Sequence, residues 1–424
     1  MQLDAKLLSL DFSLYDDMPM TDNILETPCC IVGGGPAGLM LGYLLARAGI
    51  PVLVLEKHAD FLRDFRGDTI HPSTLEIMER LGLLEPLLRL PHQRVEKLIG
   101  EFNGEKIAMA DFSRLPCLCR FMALMPQWDF LNFLAEQSQS LPGFRLLRST
   151  KVVGVMRENG VVKGVEALDA NGDKLPIRAG LVIGTDGRQS VVRQAAGLTG
   201  RSFGMPRDVL WMKLPKAVGD ENWASGHGGP KNNFIMLDRG DYWQCGYSIA
   251  KGTLPHIKQR GLPALLQQVA AVSPVGVERL ASAVADWEHV KLLDIRIDRL
   301  DRWAAAGVLC IGDAAHAMSP IGGVGVNLAI QDAVAAANIL AAPLARGPVG
   351  LHILNRVQRR RELPTRLIQR LQIMMTGKGD KPSHAAARRP PALVMRLIRQ
   401  PWLPHLTGRI IGLGFRRERP RLPR

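Results

Sequence analysis

Thr27-Pro-Cys-Cys-Ile-Val-Gly33-Gly-Gly35-Pro-Ala-Gly38, with Ile50-Pro-Val-Leu-Val-Leu-Glu56 after it, decides the fold. The first apolar run stops at glycines, as a buried parallel strand does. Leu39 to Ala48 then reads as an apolar helix closed by Gly49, and a second β-branched run follows. Strand, helix and strand within about 30 residues make a right-handed βαβ unit. The intervening turn has the pattern G-x-G-x-x-G. Gly33 permits the tight turn, Gly35 lets backbone amides approach a pyrophosphate, and Gly38, after Pro36 and Ala37, lets helix and strand pack closely. The helix N-terminus lends positive charge to the phosphates. Glu56, about 20 residues on, stands where an acid accepts hydrogen bonds from ribose hydroxyls.

Outward from this unit, Ser73–Leu84 and Trp128–Ser138 read as helices. Lys151 to Asp186 alternates apolar and polar residues between turns at Asn159-Gly160 and Asn171-Gly172, a run of antiparallel strands. Phe203 to Asp294 has strand-like runs and scattered Trp and Tyr but no nucleotide motif. Gly307 to Gly312 is again a buried strand, and Ala-rich Val324 to Leu344 again a helix.

The 424 residues are 46% hydrophobic and 22% charged, a globular composition with no fibrous repeat. Six scattered cysteines without a Cys-x-x-Cys pair argue against a disulfide scaffold, a zinc ribbon or a thioredoxin-type centre, and for a reduced, cytoplasmic protein. No metal site is expected. Between Arg346 and Arg424 stand 19 Lys and Arg against three acids, a surplus larger than the whole chain's +14. The body is therefore near neutral, which argues against a nucleic-acid-binding core. Residues 1–26 are acid-rich and read as a flexible extension, not a leader. No uncharged apolar run of about 18 residues is evident.

Two further turns make the reading specific. Gly184-Thr-Asp186-Gly-Arg188-Gln-Ser190-Val-Val-Arg193 follows the antiparallel strands. Gly312-Asp313-Ala-Ala-His316-Ala-Met-Ser-Pro320-Ile-Gly-Gly323-Val-Gly325-Val-Asn327 follows the later strand. In this order the three motifs resemble the single-component flavoprotein monooxygenases related to para-hydroxybenzoate hydroxylase. The resemblance spans Cys29 to about Ala345, and matches Phe203–Asp294 in outline only.

That resemblance implies an α/β fold: a Rossmann-type FAD-binding domain of the para-hydroxybenzoate hydroxylase kind, an inserted mixed β-sheet substrate domain and a C-terminal helical tail. The expected boundaries are 27–202 and 295–345 for the FAD-binding domain, 203–294 for the substrate domain and 346–424 for the basic tail. It also implies roles. Asp313 meets the ribityl or pyrophosphate region of FAD. Pro320 to Asn327 meets the flavin's pyrimidine end, where the Val326 and Asn327 amides stabilise charge on the reduced ring. Arg66 sits beside the diphosphate, Gln127 contacts the ribityl chain, and Val153 lies on the strand over the adenine. Asp186 belongs to an Asp-Gly motif tied to both FAD and NAD(P)H. Each has a plainer reading: Arg66 a solvated charge, Gln127 a helix cap, Val153 core. His316 is read as fixing the Asp313 loop, with general-base work the alternative. Cys117 and Cys119 are read as buried thiols on alternate strand positions, with a redox pair the alternative.

A second G-x-G-x-x-G is absent, which fits enzymes that bind NAD(P)H transiently. The resemblance implies that NAD(P)H reduces FAD, and that a flavin hydroperoxide formed with O2 hydroxylates a phenolic or polycyclic aromatic substrate. Tyr242, Trp243 and Trp211 are candidates for the substrate face, with core packing the competing reading. The rival function is a membrane-surface flavoprotein reductase of isoprenoid or quinone lipids, prompted by Pro391-Ala-Leu-Val-Met-Arg-Leu-Ile-Arg and Thr407-Gly-Arg-Ile-Ile-Gly-Leu-Gly-Phe-Arg-Arg. These stretches read either as a helix touching anionic lipid or as a closing helical cap. A flavin-loaded sensor without turnover is a third reading. A halogenase is disfavoured, since Trp-x-Trp-x-Ile-Pro is missing.

Overall fold

A computed structural model describes residues 20–21, 24–62, 69–102, 105–217, 219–220, 225–228, 233–376 and 400–421. Arg66, most of the N-terminal extension and Pro391–Arg399 lie outside them. Strands β1 (Ile24–Val32) and β2 (Val52–Leu55) pair in parallel, Cys29 opposite Val52 and Val32 opposite Leu55. Helix α1 (Pro36–Arg47) crosses between them, buried from Ala37 to Ala46 because it lies between the sheet and the helix Val324–Leu344. The sheet continues past β2 through β3 (Phe144–Leu147). On the other side stand β4 (Lys151–Glu158), β5 (Val161–Leu168) and β6 (Lys174–Gly184), joined as an antiparallel meander at the expected turns. β6 runs parallel to β1 and to β7 (Val308–Cys310). Because β1 begins at Ile24, the end of the expected extension belongs to the sheet.

A second sheet runs in the order Lys291–Leu293, Arg207–Pro215, Tyr242–Ala250, Asn233–Asp238, Ser225–Gly228, Lys97–Phe102, Glu105–Asp111. Its last two strands come from the segment that the expected boundaries left in the first domain. They join through a parallel pairing of Ser225–His227 with Ile99–Glu101, a non-local contact with no counterpart in local pattern. Leu210, Met212, Phe234, Trp243, Tyr247 and Leu265 fill this sheet's own core.

Helix α2 (Pro72–Leu81) ends at left-handed Gly82 (φ 76°), earlier than expected, and the short helix Leu84–Leu88 follows. Helix α3 (Gln127–Gln139) and α4 (Val324–Leu344) fall where the periodicity put them. With the turn before it, α4 is long and apolar enough to cross a membrane, contrary to the sequence reading. Two thirds of its most apolar window is nevertheless buried in the protein and Asp332 sits inside it, as suits a core helix. The tail supplies α5 (Leu351–Thr376) and α6 (Leu403–Leu413). α6 lies on Asp111, Phe112 and Leu115, so closely that a Cβ at Gly408 would overlap the Asp111 carbonyl. This described part of the tail is a closing cap.

Candidate active site

Three turns converge on the N-terminus of α1. Gly33 has φ 107°, and a Cβ there would lie 2.6 Å from Thr185 O and 2.9 Å from Asp186 Cα. The turn after β6 therefore rests on the turn after β1, and Thr185 Oγ1 fastens them by donating to Val32 O and Gly33 O, each at 2.8 Å. From the other side comes Gly312, whose Cβ position is 3.3 Å from Ala37 Cβ and 3.2 Å from Ala329 Cβ. Glu56 is buried; its Oε2 accepts from Gly34 N at 2.9 Å and its Oε1 from His58 N at 3.1 Å. Glu56 and the Gly312–Asp313 turn thus flank the same helix end. Among the described residues no side chain caps that end, and apart from its chain neighbours nothing lies within 4 Å of the Cβ position at Gly35. A helix end without a side-chain cap, with space beside Gly35, is the arrangement that receives a phosphate.

Asp313 is about one third exposed, and its Oδ2 accepts from Arg188 Nε at 3.2 Å. Asp186 Oδ2 accepts from Val192 N at 3.1 Å, while its Oδ1 is buried with no partner among the described residues. Burial pushes this carboxyl up, against hydrogen bonds from Ser190 and backbone amides that favour the anion.

The loop before α4 is built on left-handed glycines, Gly322 (φ 77°) and Gly323 (φ 62°). A Cβ at Gly323 would overlap Thr69 Oγ1. Pro320 precedes this turn, and Gly325 and Val326 belong to the uncapped first turn of α4. Asn327 is buried and its side chain is committed internally. Oδ1 accepts from His71 N and Thr74 Oγ1, both at 2.8 Å; Nδ2 donates to Thr69 O at 3.0 Å and Gly323 O at 3.1 Å. This clamp between α4 and the start of α2 gave no sequence signal, since its members are over 250 residues apart.

Gln127 opens α3. Val153 is 45% exposed and falls at a bulge of β4 between Val152 and Gly154, so the plain-core reading does not hold for it. The start of β4 is tied to Glu56 by a 2.9 Å bond from Thr150 N to Glu56 O. His316 is buried: its Nε2 lies 2.6 Å from Asp332 Oδ2, which also accepts from Gly312 N at 3.2 Å. It braces the Asp313 loop from behind. Cys117 and Cys119 sit in a bend, not on a strand, and Cys117 Sγ meets Cys119 O at 3.2 Å; burial pushes both thiols up. Trp211 and Trp243 are buried, and Trp243 Nε1 donates to Asp220 Oδ2 at 2.7 Å, so Trp243 is core; Tyr242 is half-buried under Lys213.

The FAD binding domain family matches residues 26–370. This chain belongs to that family. It is 33% identical over 379 residues to 6-methylpretetramide 4-monooxygenase of Streptomyces rimosus, covering 89% of this chain and 90% of that one. It is 26% identical over 329 residues to para-nitrophenol 4-monooxygenase of a Pseudomonas species, covering 75% and 78%. Among solved structures, PqsL of Pseudomonas aeruginosa, a probable FAD-dependent monooxygenase, shares the fold with TM-score 0.69 at 23% identity, over 84% of this chain and 97% of that one. The protein is an FAD-dependent monooxygenase with NAD(P)H as co-substrate. A lipid reductase finds no support among these relatives. The open α1 terminus, buried Glu56 and the partnerless Asp186 oxygen fit the dinucleotide half of FAD.

Proposed function

We propose that this monooxygenase hydroxylates the aromatic ring of a phenolic or polycyclic compound. What carries this reading is the 33% identity, across nine tenths of both chains, to an enzyme named for a polycyclic substrate, 6-methylpretetramide. Bound FAD would supply acceptance of hydride from NAD(P)H and activation of O2.

In this reading the chain's own residues divide the work. Gly33, Gly35, Pro36, Ala37 and Gly38 present α1's first amides to the pyrophosphate, and Glu56 accepts from ribose hydroxyls. Asp313, held by Arg188, and Gln127 would hold the ribityl side by accepting from its hydroxyls, and Val153 would cover the adenine. The Val326 and Asn327 amides, at the positive end of α4, would stabilise negative charge on a bound ring, with Gly323 and Gly325 leaving room for it. The Asn327 side chain fixes the start of α4 in place. The sheet of Arg207–Leu293, completed by Lys97–Asp111, would be the substrate-facing cover that excludes water.

Substrate-stimulated NADPH oxidation, with labelled oxygen appearing in the product of an aromatic panel, is the test. Oxidation that yields only hydrogen peroxide across phenols and polycyclic phenols would defeat the hydroxylase reading.

A further inference from the structure

A cleft of about 550 Å³ opens between the ribbon of Gly200–Ser202 with Asp298–Leu300 and the outer face of α5. It is lined by Arg201, Arg299, Asp301, Glu362 and Arg366. A second cavity of about 230 Å³ adjoins it and adds Phe203, Arg370 and Ile373. Four guanidinium groups thus meet two carboxylates. Arg201 and Arg299 are direct cross-strand partners, a like-charge pairing that destabilises a ribbon. Arg201 bonds Asp301 at 2.9 Å, and Arg366 approaches Glu362 only to 3.9 Å. Neither Arg299 nor Arg370 forms an ion pair with a carboxylate among the described residues.

Arg299 is the centre of this arrangement. It is half-buried, and its Nη1 donates to Gln369 Oε1 at 2.6 Å. Its guanidinium lies 5.1 Å from the Phe203 ring centroid. Gln369 is itself 1% exposed and bonds Asp298 O and Ala317 O, so Arg299 stands on a fixed, buried polar base. Burial, and then Arg366, Arg201 and Arg370 around it, disfavour its charged form against the pull of Glu362. Converging like charges on a rigid base are stabilised by a multivalent anion, and planar guanidinium groups match phosphate oxygens. Phe203 and Ile373 give a ring an apolar face beside the charge.

We propose that this cleft binds the phosphates of a nucleotide-sized ligand. Two sources share that chemistry, the adenosine half of NADPH and a free nucleoside diphosphate. Gln369 and Asp298 connect the site to Ala317, within the loop that follows Asp313.

The test titrates FAD-loaded, full-length protein with ADP and with inorganic pyrophosphate by calorimetry. Binding should weaken about tenfold for each guanidinium removed in Arg366→Gln and Arg370→Gln, both at exposed positions, and should fall with added salt. Arg299→Gln should abolish it. If ADP competes with NADPH and Arg370→Gln raises the KM for NADPH and for NADH, which carries the same diphosphate, the ligand is the reductant. If ADP binds without competing, it is a separate nucleotide. Absence of ADP and pyrophosphate binding at low millimolar concentration, or binding indifferent to Arg366→Gln and Arg370→Gln, overturns the proposal.

Discussion

Asp332→Asn should be among the most damaging single changes outside the cofactor crevice. Asp332 is fully buried. Its Oδ2 faces His316 Nε2 at 2.6 Å and Gly312 N at 3.2 Å, while Oδ1 accepts from Arg361 Nε at 2.8 Å. Arg361, 1% exposed, reaches on to Arg416 O at 3.3 Å and Glu418 at 3.5 Å. Burial by itself would raise the Asp332 carboxyl, but the adjoining His316 and Arg361 outweigh it and hold the group below its ordinary value. An amide in its place turns an N–H donor against Arg361 or His316 and leaves buried Arg361 with only its longer ion pair to Glu418. Removing one partner of a buried pair costs about 3–5 kcal/mol, a large share of a typical stability of about 5–15 kcal/mol. Gly312 N also loses its acceptor or has it displaced, so FAD affinity should fall with stability. Urea unfolding at saturating FAD, followed by circular dichroism and flavin fluorescence, measures both. Asp332→Asn combined with Arg361→Met should lose less than the two single changes together, because the poorly paired cation is gone. A loss under about 1 kcal/mol in Asp332→Asn, well short of the buried-pair value, or strict additivity in the double variant, would refute the reasoning.

Changes at four other positions probe the crevice and the clamp beside it. Gly323→Ala must adopt a left-handed backbone and displace Thr69, whose Oγ1 donates to Gly323 O at 3.0 Å; about 3 kcal/mol should be lost. Gly322→Ala, with only Val324 Cγ1 at 3.7 Å, should lose about 1 kcal/mol, and equal thermal shifts for the pair would contradict the packing described. Glu56→Ala should weaken FAD about 30- to 100-fold through lost charge-assisted hydrogen bonds, and Glu56→Gln less; an unchanged FAD dissociation constant in Glu56→Ala would remove Glu56 from the site. His71 is buried neutral, its pKa lowered to about 4 chiefly by burial, with Nδ1 2.8 Å from Ile411 O. The unfolded chain binds that proton near pH 6.5 and the folded chain does not, so stability should fall as pH drops from about 6.5 to 4, by up to about 3 kcal/mol. His71→Gln should flatten that limb in pH-dependent unfolding; an unaltered slope would count against it.

The strand–helix–strand unit, the meander at Asn159-Gly160 and Asn171-Gly172, and the helix Val324–Leu344 were legible because each is written in local period and turn chemistry. The cofactor-binding turns were legible for a related reason: glycine is required where Gly33 meets Thr185 and favoured where Gly312 takes a left-handed backbone, so each demand leaves its mark on the residue itself. Tertiary structure alone decided the rest. Lys97–Asp111 joins the second sheet by a parallel pairing across more than 100 residues. The Asn327 clamp on Thr69, His71 and Thr74, the Asp332–His316–Arg361 knot behind Asp313 and the arginines gathered around Arg299 join segments distant along the chain. Hydrogen bonds and charges that meet only after the chain has closed on itself impose no spacing on the sequence.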